Sequence, residues 1–265
     1  MRRIRSLHAL VFMVMLLPSA CLKKPPEVIR VRFEPSFTYE NVKSGGIGIA
    51  GVTSDWFDLP GTSATADWIG PWLWVTATEE RPDLAIVSSP EIRDSIGRDD
   101  YVHLLDTHSR LAEVDSTALA ALSQSLSYPR YLAFARIEQD TIRVKRRYTD
   151  GYYTRDDEHC STTDLELTTE RTIQVRFQVY DVRREQLVWA GVSRHTDKSL
   201  PLSRNVEDSC GSGGLVQALI ELAVDLLVEP DPNDTGIKPP NPPKWSKMLN
   251  ASFKAFARKL PPQSD

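Results

Sequence analysis

Between Val28 and Phe33, apolar Ile29, Val31 and Phe33 alternate with Arg30 and Arg32, the period-two signature of a half-buried strand, here read as an edge strand. After the turn-like Lys43-Ser44-Gly45-Gly46, the run Ile47-Gly48-Ile49-Ala50-Gly51-Val52 reads as a buried strand, and residues 53–63, with Asp55, Asp58, Pro60 and Gly61, as a loop. From Ala64 to Glu80, Trp68, Ile69, Trp72 and Val75 recur at helical spacing, with a kink or restart expected at Gly70-Pro71. Asp83–Val87 reads as a short strand. Ser89-Pro90-Glu91 places an N-cap before a proline and opens a helix to about Ile96. Asp115 caps a further helix with Leu119, Leu122 and Leu126 on one face, ended by Tyr128-Pro129.

From Tyr131 the period changes to two. Tyr131–Glu138, Thr141–Tyr148, Leu165–Asp181 and Glu185–Arg194 read as four consecutive strands of an antiparallel meander, with the polar stretch Thr149–Asp164 inserted between the second and third. Leu215, Ala218, Leu219, Leu222, Leu226 and Leu227 mark an amphipathic helix expected to pack across the sheet. The fold class is α+β: a mixed sheet with an antiparallel meander packed against helices on one side, without internal repeats. Glu229–Pro243 carries six prolines and reads as an extended linker. A short basic helix, Lys244–Leu260, follows it.

The extreme N-terminus has another character. Arg2, Arg3 and Arg5 precede an apolar stretch from Ala9 to Leu17, and Pro18-Ser19-Ala20 leads into Cys21, the three-part layout of a secretory signal. The organisation is therefore a signal peptide at 1–20, a tether at 21–27, an α/β envelope domain at 28–228, the linker at 229–243 and a C-terminal helix with its tail at 244–265. Removing residues 1–20 takes away three arginines, so the mature chain carries 29 basic and 36 acidic residues, a formal charge of −7. An acidic domain lacks the electrostatic footprint of a nucleic-acid binder. The only long apolar run is that N-terminal one, which excludes a multi-pass membrane protein.

Leu17-Pro18-Ser19-Ala20-Cys21 resembles a bacterial lipobox, whose cysteine is lipidated and becomes the mature N-terminus, with Pro18 standing where that motif prefers leucine. Leu22 departs from the aspartate that resembles an inner-membrane retention signal, so the expected place is the outer membrane, lipid-anchored on its periplasmic face. The element order, together with Val179-Tyr180-Asp181-Val182-Arg183 and Leu187-Val188-Trp189-Ala190-Gly191, resembles the anticodon-binding-like α/β domain of bacterial envelope lipoproteins. Its members include the penicillin-binding-protein activator LpoB, the curli secretion lipoprotein and the N-terminal domain of TolB. The resemblance covers roughly residues 46–228 and is nearest to an envelope lipoprotein family of myxobacterial type. It implies an accessory role in envelope biogenesis or secretion, exercised on a protein partner.

With Cys21 assigned to lipid, Cys160 and Cys210 form an even pair in an oxidising compartment, which reads as a disulfide. The rival is a metal site using His159, Cys160, His195 and Cys210, although no pair among them has the short spacing that prearranges zinc geometry. Gly46-Ile47-Gly48-Ile49-Ala50-Gly51 matches G-x-G-x-x-G in letters, but the pattern occupies the strand itself and no helix follows to supply an N-terminal dipole. Asp208-Ser209-Cys210-Gly211-Ser212-Gly213-Gly214 only brushes against the serine-protease pattern, and the usual hydrolase and P-loop motifs do not occur in the sequence. No catalysis, cofactor or metal is expected.

The candidate partner contacts are Tyr152 and Tyr153 in the polar insertion and Trp245, Phe253 and Phe256 on the C-terminal helix. On that helix Lys244, Lys247, Lys254, Arg258 and Lys259 surround an apolar stripe. Docking on its own domain, on an anionic membrane or in a partner's groove are the competing fates, and the proline-rich spacer favours the latter two. Deletion of residues 230–265 is then expected to leave thermal stability nearly unchanged. The alternative reading of the whole chain is an envelope enzyme or small-ligand binder with a site beside the Trp56-Phe57 loop.

Overall fold

The computed structural model describes residues 26–54, 64–155, 158–210 and 238–263. Cys21, Trp56, Phe57 and the Leu215 helix lie outside them.

The chain forms a mixed α/β arrangement around one seven-stranded sheet. Its strands are β1 (Val28–Phe33), β2 (Ile47–Ser54), β3 (Ile86–Val87), β4 (Tyr131–Arg155), β5 (Glu158–Asp181), β6 (Gln186–Lys198) and β7 (Leu202–Cys210). Its helices are α1 (Tyr39–Gly45), α2 (Ala64–Glu80), α3 (Ser89–Ile96), α4 (Arg98–Leu111), α5 (Ser116–Ser125) and α6 (Trp245–Lys259). The sheet order is β1-β6-β5-β4-β2-β3, with β7 joining β5. β2 runs parallel to β3 and β4, and the other ladders are antiparallel.

Capping residues place several of the helices. Asp115 accepts the Ala118 amide at the start of α5 at 2.7 Å, as its position before an apolar face predicts. At α3 the cap is Ser88, one residue earlier than Ser89, and Ser88 and Glu91 close a reciprocal capping box. α2 runs unbroken from Ala64 to Glu80 with Pro71 inside it, so the expected restart does not occur. Ile69, Leu73 and Ala77 form its inner stripe, while Val75 is exposed.

Alternation along the strands divides the core in two. On β4, Tyr131, Ala133, Ala135 and Ile137 join one cluster, with α1, α2 and α6; Leu132 and Phe134 join the other, with α3, α4 and α5. Because successive strand side chains point to opposite faces, the helices cover both sides of the sheet rather than one. The glycines of β2 serve that packing. A Cβ on Gly48 would stand 2.7 Å from Ile92 and Pro129, and one on Gly51 2.9 Å from Leu105. Close packing thus accounts for Gly48 and Gly51, and a positive φ of 72° at the C-cap of α1 for Gly46, the three glycines of the G-x-G-x-x-G letters.

The meander has three strands rather than four. The segments read as Tyr131–Glu138 and Thr141–Tyr148 are one strand, β4, whose register shifts between Ile137 and Gln139. At the bulge, largely buried Glu138 is compensated by partners: it accepts from Gln174 Nε2 at 2.8 Å and pairs with Arg176. Two residues on, Asp140 pairs with Arg171, whose Nε lies 2.7 Å from Oδ1. The Thr149–Asp164 insertion is the far end of the same hairpin, paired as far as Arg155 opposite Glu158.

Candidate functional site

β6 ends at Lys198, opposite Glu170, but β4 and β5 continue together for twelve further residues of β5, a projection of about 40 Å at strand rise. Along this arm β7 takes the edge position that β6 has left, pairing from Leu167 opposite Leu202 to Cys160 opposite Cys210. The third strand stiffens what would otherwise be a two-stranded ribbon of marginal stability.

Alternation sorts the arm into two faces. Arg143 and Lys145 stand on one, where Lys145 reaches Glu170 at 2.8 Å. That contact and Lys198 together hold the Glu170 carboxyl below its usual range. Ile142, Val144, Arg146, Tyr148 and Tyr152 stand on the other. Ile142 is 48% exposed, Val144 41%, Tyr148 38% and Tyr152 74%. Tyr152 is thus placed as a contact residue would be. Tyr153 projects to the opposite face and is 36% exposed.

Cys160 is buried directly across the ladder from Cys210. His195 lies on β6 opposite Ile173, thirteen residues along β5 from Cys160, so the ligand set of the metal reading is not brought together. Among the described residues no group of His, Cys, Asp and Glu could hold a metal ion.

The three aromatic residues on the C-terminal helix are placed otherwise than expected. Phe253 and Phe256 are fully buried, as are Met248, Leu249 and Leu260. Phe253 meets Trp72 edge to face at 5.4 Å, and half-buried Trp245 tilts against the same Trp72 ring at 6.4 Å. The segment before the helix is fixed too: Thr169 Oγ1 donates to the Pro240 carbonyl at 2.6 Å. At the far end, Arg81 donates to the carbonyls of Leu260 at 2.9 Å and Pro261 at 2.8 Å, satisfying the groups a helix terminus leaves open. The anionic target of the basic face lies within the domain. Glu80 receives Lys254 at 3.2 Å and Arg258 at 2.7 Å, and these cations hold its carboxyl below its usual range. Phe253 and Phe256 are therefore core residues, not partner contacts, and α6 completes the fold.

Away from the arm, buried His108 is held in a chain of three side chains. His108 Nδ1 lies 2.9 Å from Thr53 Oγ1, and its Nε2 lies 2.9 Å from Gln178 Oε1. Accepting from threonine and donating to the amide oxygen uses both ring nitrogens of a neutral imidazole. Burial pushes its pKa down to about 4. Nearby, Tyr180 donates no charge to the core: burial raises its pKa to about 12, and its hydroxyl accepts the Val114 amide at 3.1 Å. These groups satisfy one another and present no reactive atom to solvent. A groove of about 90 Å³ between α3, α4 and α5 is lined mainly by Ile96, Leu104, Ala121 and Leu122, with Asp100 and His103 at its polar side.

No protein-family model and no curated protein matches the chain. Among solved structures, a lipoprotein of Neisseria meningitidis matches with a TM-score of 0.32 and 12% identity, covering 69% of this chain and 98% of that one. That likeness is too slight to carry a function from one chain to the other. No helix among the described residues is long and apolar enough to cross a membrane.

Proposed function

We propose that this chain is a lipid-anchored protein of the bacterial envelope, attached through Cys21 to the periplasmic face of the outer membrane, and that it binds a protein partner as a non-enzymatic accessory of envelope biogenesis or secretion. The anchor reading is supported by the N-terminal signal pattern. The observation that carries the partner reading is the arm: a projecting three-stranded ribbon with Ile142, Val144 and Tyr152 exposed along one face. Exposed aromatic and aliphatic side chains on a stiff element suit protein recognition, because little ordering is lost when the contact forms.

A Cys160–Cys210 disulfide belongs to this reading. It is supported by the direct opposition of the two residues across the ladder and by the burial of Cys160. Opposed residues of an antiparallel ladder have Cα atoms about 4.5–5.5 Å apart, within the span a disulfide accepts.

A photo-crosslinking amino acid at Tyr152 in the anchored protein tests the partner reading, with the same group at Leu200, 87% exposed, as control. A discrete adduct from position 152 alone, lost when Ile142 and Val144 are changed to serine, is the expected result. Equal labelling at both positions would overturn it.

A further inference from the structure

β1 is bonded to β6 along one side, and among the described residues nothing pairs with its other edge. A soluble protein ordinarily protects such an edge with charge or a covering element. Here Ile29 is 69% exposed, Val31 63% and Phe33 43%. The register shifts between Arg30 and Arg32, leaving Val31 as the extra residue of a bulge. The Arg30 guanidinium lies 4.5 Å above the Phe33 ring, and Arg32 reaches Glu34 at 3.1 Å.

The chain before this strand fixes what it can meet. Seven Cα steps separate Cys21 from Val28, which even fully extended span about 25 Å. Those residues include Lys23 and Lys24, so the start of the mature chain is basic although the chain as a whole is acidic. Val28 stands opposite Ser193, and Ser193 opposite Val175, so the tether leaves β1 towards the arm. The arm tip at Glu158 lies seventeen strand residues past Val175, about 55 Å away. A tether of about 25 Å cannot carry the lipid past that tip, so the molecule cannot stand on its arm, and the edge beside the tether is what comes down to the bilayer.

We propose that the β1 edge rests on an anionic phospholipid surface, with exposed Ile29, Val31 and Phe33, the first and last on opposite faces of the strand, flanking the contact at the headgroup boundary and Arg30 and Arg32 at the level of the phosphates. Apolar side chains interleaved with cations suit that boundary, where hydrocarbon and negative charge lie within one side-chain length. The inference rests on the anchored reading of Cys21 and extends it: the domain does not swing free on its tether but lies with one defined edge on the membrane.

The test uses the full mature lipidated chain carrying Val31→Cys with an environment-sensitive nitrobenzoxadiazole label, reconstituted in phosphatidylethanolamine–phosphatidylglycerol vesicles. Leu200→Cys carries the same label as control. Emission from position 31 is expected to shift to the blue and intensify in anionic vesicles, less so in phosphatidylcholine, with position 200 unchanged. No shift at position 31 overturns the proposal. A shift that disappears as the protein is diluted within the bilayer also overturns it, since it reports pairing of β1 edges between two copies. Failure of lipidation is distinguishable: a Cys21→Ser chain held by an N-terminal hexahistidine tag to nickel-chelating lipid keeps the same tether, and its label responds or fails to respond independently of acylation.

Discussion

The rings of Phe177 and Phe256 stack nearly parallel, their centroids 4.6 Å apart and their planes 6° from coplanar. One belongs to the middle strand of the sheet and the other to the last helix of the chain. This pairing makes the C-terminal segment part of the core. Phe256→Ala is expected to cost about 3–5 kcal/mol, the range for emptying a buried phenyl site. Truncation after Pro243 removes Met248, Leu249, Phe253, Phe256 and Leu260 together and is expected to abolish the cooperative unfolding transition. Denaturant melts read by tryptophan fluorescence check both; an unchanged midpoint in the truncated chain would return α6 to the surface.

His108 gives the protein a defined acid limb. In the unfolded chain its imidazole titrates near 6.5, whereas in the core it titrates at about 4. Between those values the unfolded state binds a proton that the folded state refuses. The stability contribution is therefore fully present above about pH 6.5 and declines as pH falls towards 4, by on the order of 3 kcal/mol. His108→Leu is expected to lower stability at neutral pH, leaving Thr53 and Gln178 without their partner, and to flatten the slope of stability against pH between 4 and 6.5. Urea melts across that range measure it.

Asp181 is fully buried, and its carboxylate takes Arg130 Nε at 3.0 Å and the amides of Arg183 and Arg184 at 3.1 and 3.3 Å. Arg130→Met leaves that buried charge without its cation and is expected to cost about 3–5 kcal/mol. Arg93→Met, which removes a cation from an exposed pair with Asp94, is expected to cost less than about 1 kcal/mol. Comparable losses for the two would contradict the burial argument.

Non-reducing peptide mapping of protein isolated without reductant is expected to recover Cys160 and Cys210 in one crosslinked species. Such a bond would close a loop of about fifty residues, worth about 3–4 kcal/mol where it is unstrained. Cys210→Ser is expected to lower stability by that amount and to loosen the arm edge, read as faster amide exchange in β7. Two free thiols in the isolated protein would sink the assignment.

Cys21→Ser is expected to convert a membrane-fractionating protein into a soluble one. Intact mass of the wild type should show the acyl modification. Membrane fractionation of the variant together with an unmodified wild type would remove the anchor.

The strands and capped helices were legible because each carries a local signal: the alternation of Ile173, Val175, Phe177 and Val179, and the Asp115 cap. α4 carries a weaker one. Its inward face includes Thr107, His108 and Ser109, polar residues buried only because Thr53, Ser54 and Gln178 wait opposite, and no periodicity shows that. β4 read as two strands because Gln139-Asp140 looks like a turn, whereas Arg171 across the ladder neutralises the aspartate. The C-terminal helix was visible as a helix. Its destination was not, since basic charge and a proline-rich approach suggested reach, while the deciding partners, Glu80, Arg81 and Thr169, lie more than seventy residues away in sequence. The exposure of Tyr152, by contrast, was legible from its polar setting alone.

The placement of α6 also orders events in the life of the chain. A ribosome delivers the sheet and α1 to α5 before it delivers the α6 side chains that close one face of the core, so that face cannot be sealed until α6 has emerged. Until α6 has emerged, Trp72 lacks the Phe253 ring, and Phe177 and Trp189 lack that of Phe256. A chain interrupted before α6 keeps an open core face and is a substrate for proteolysis rather than a stable folded domain.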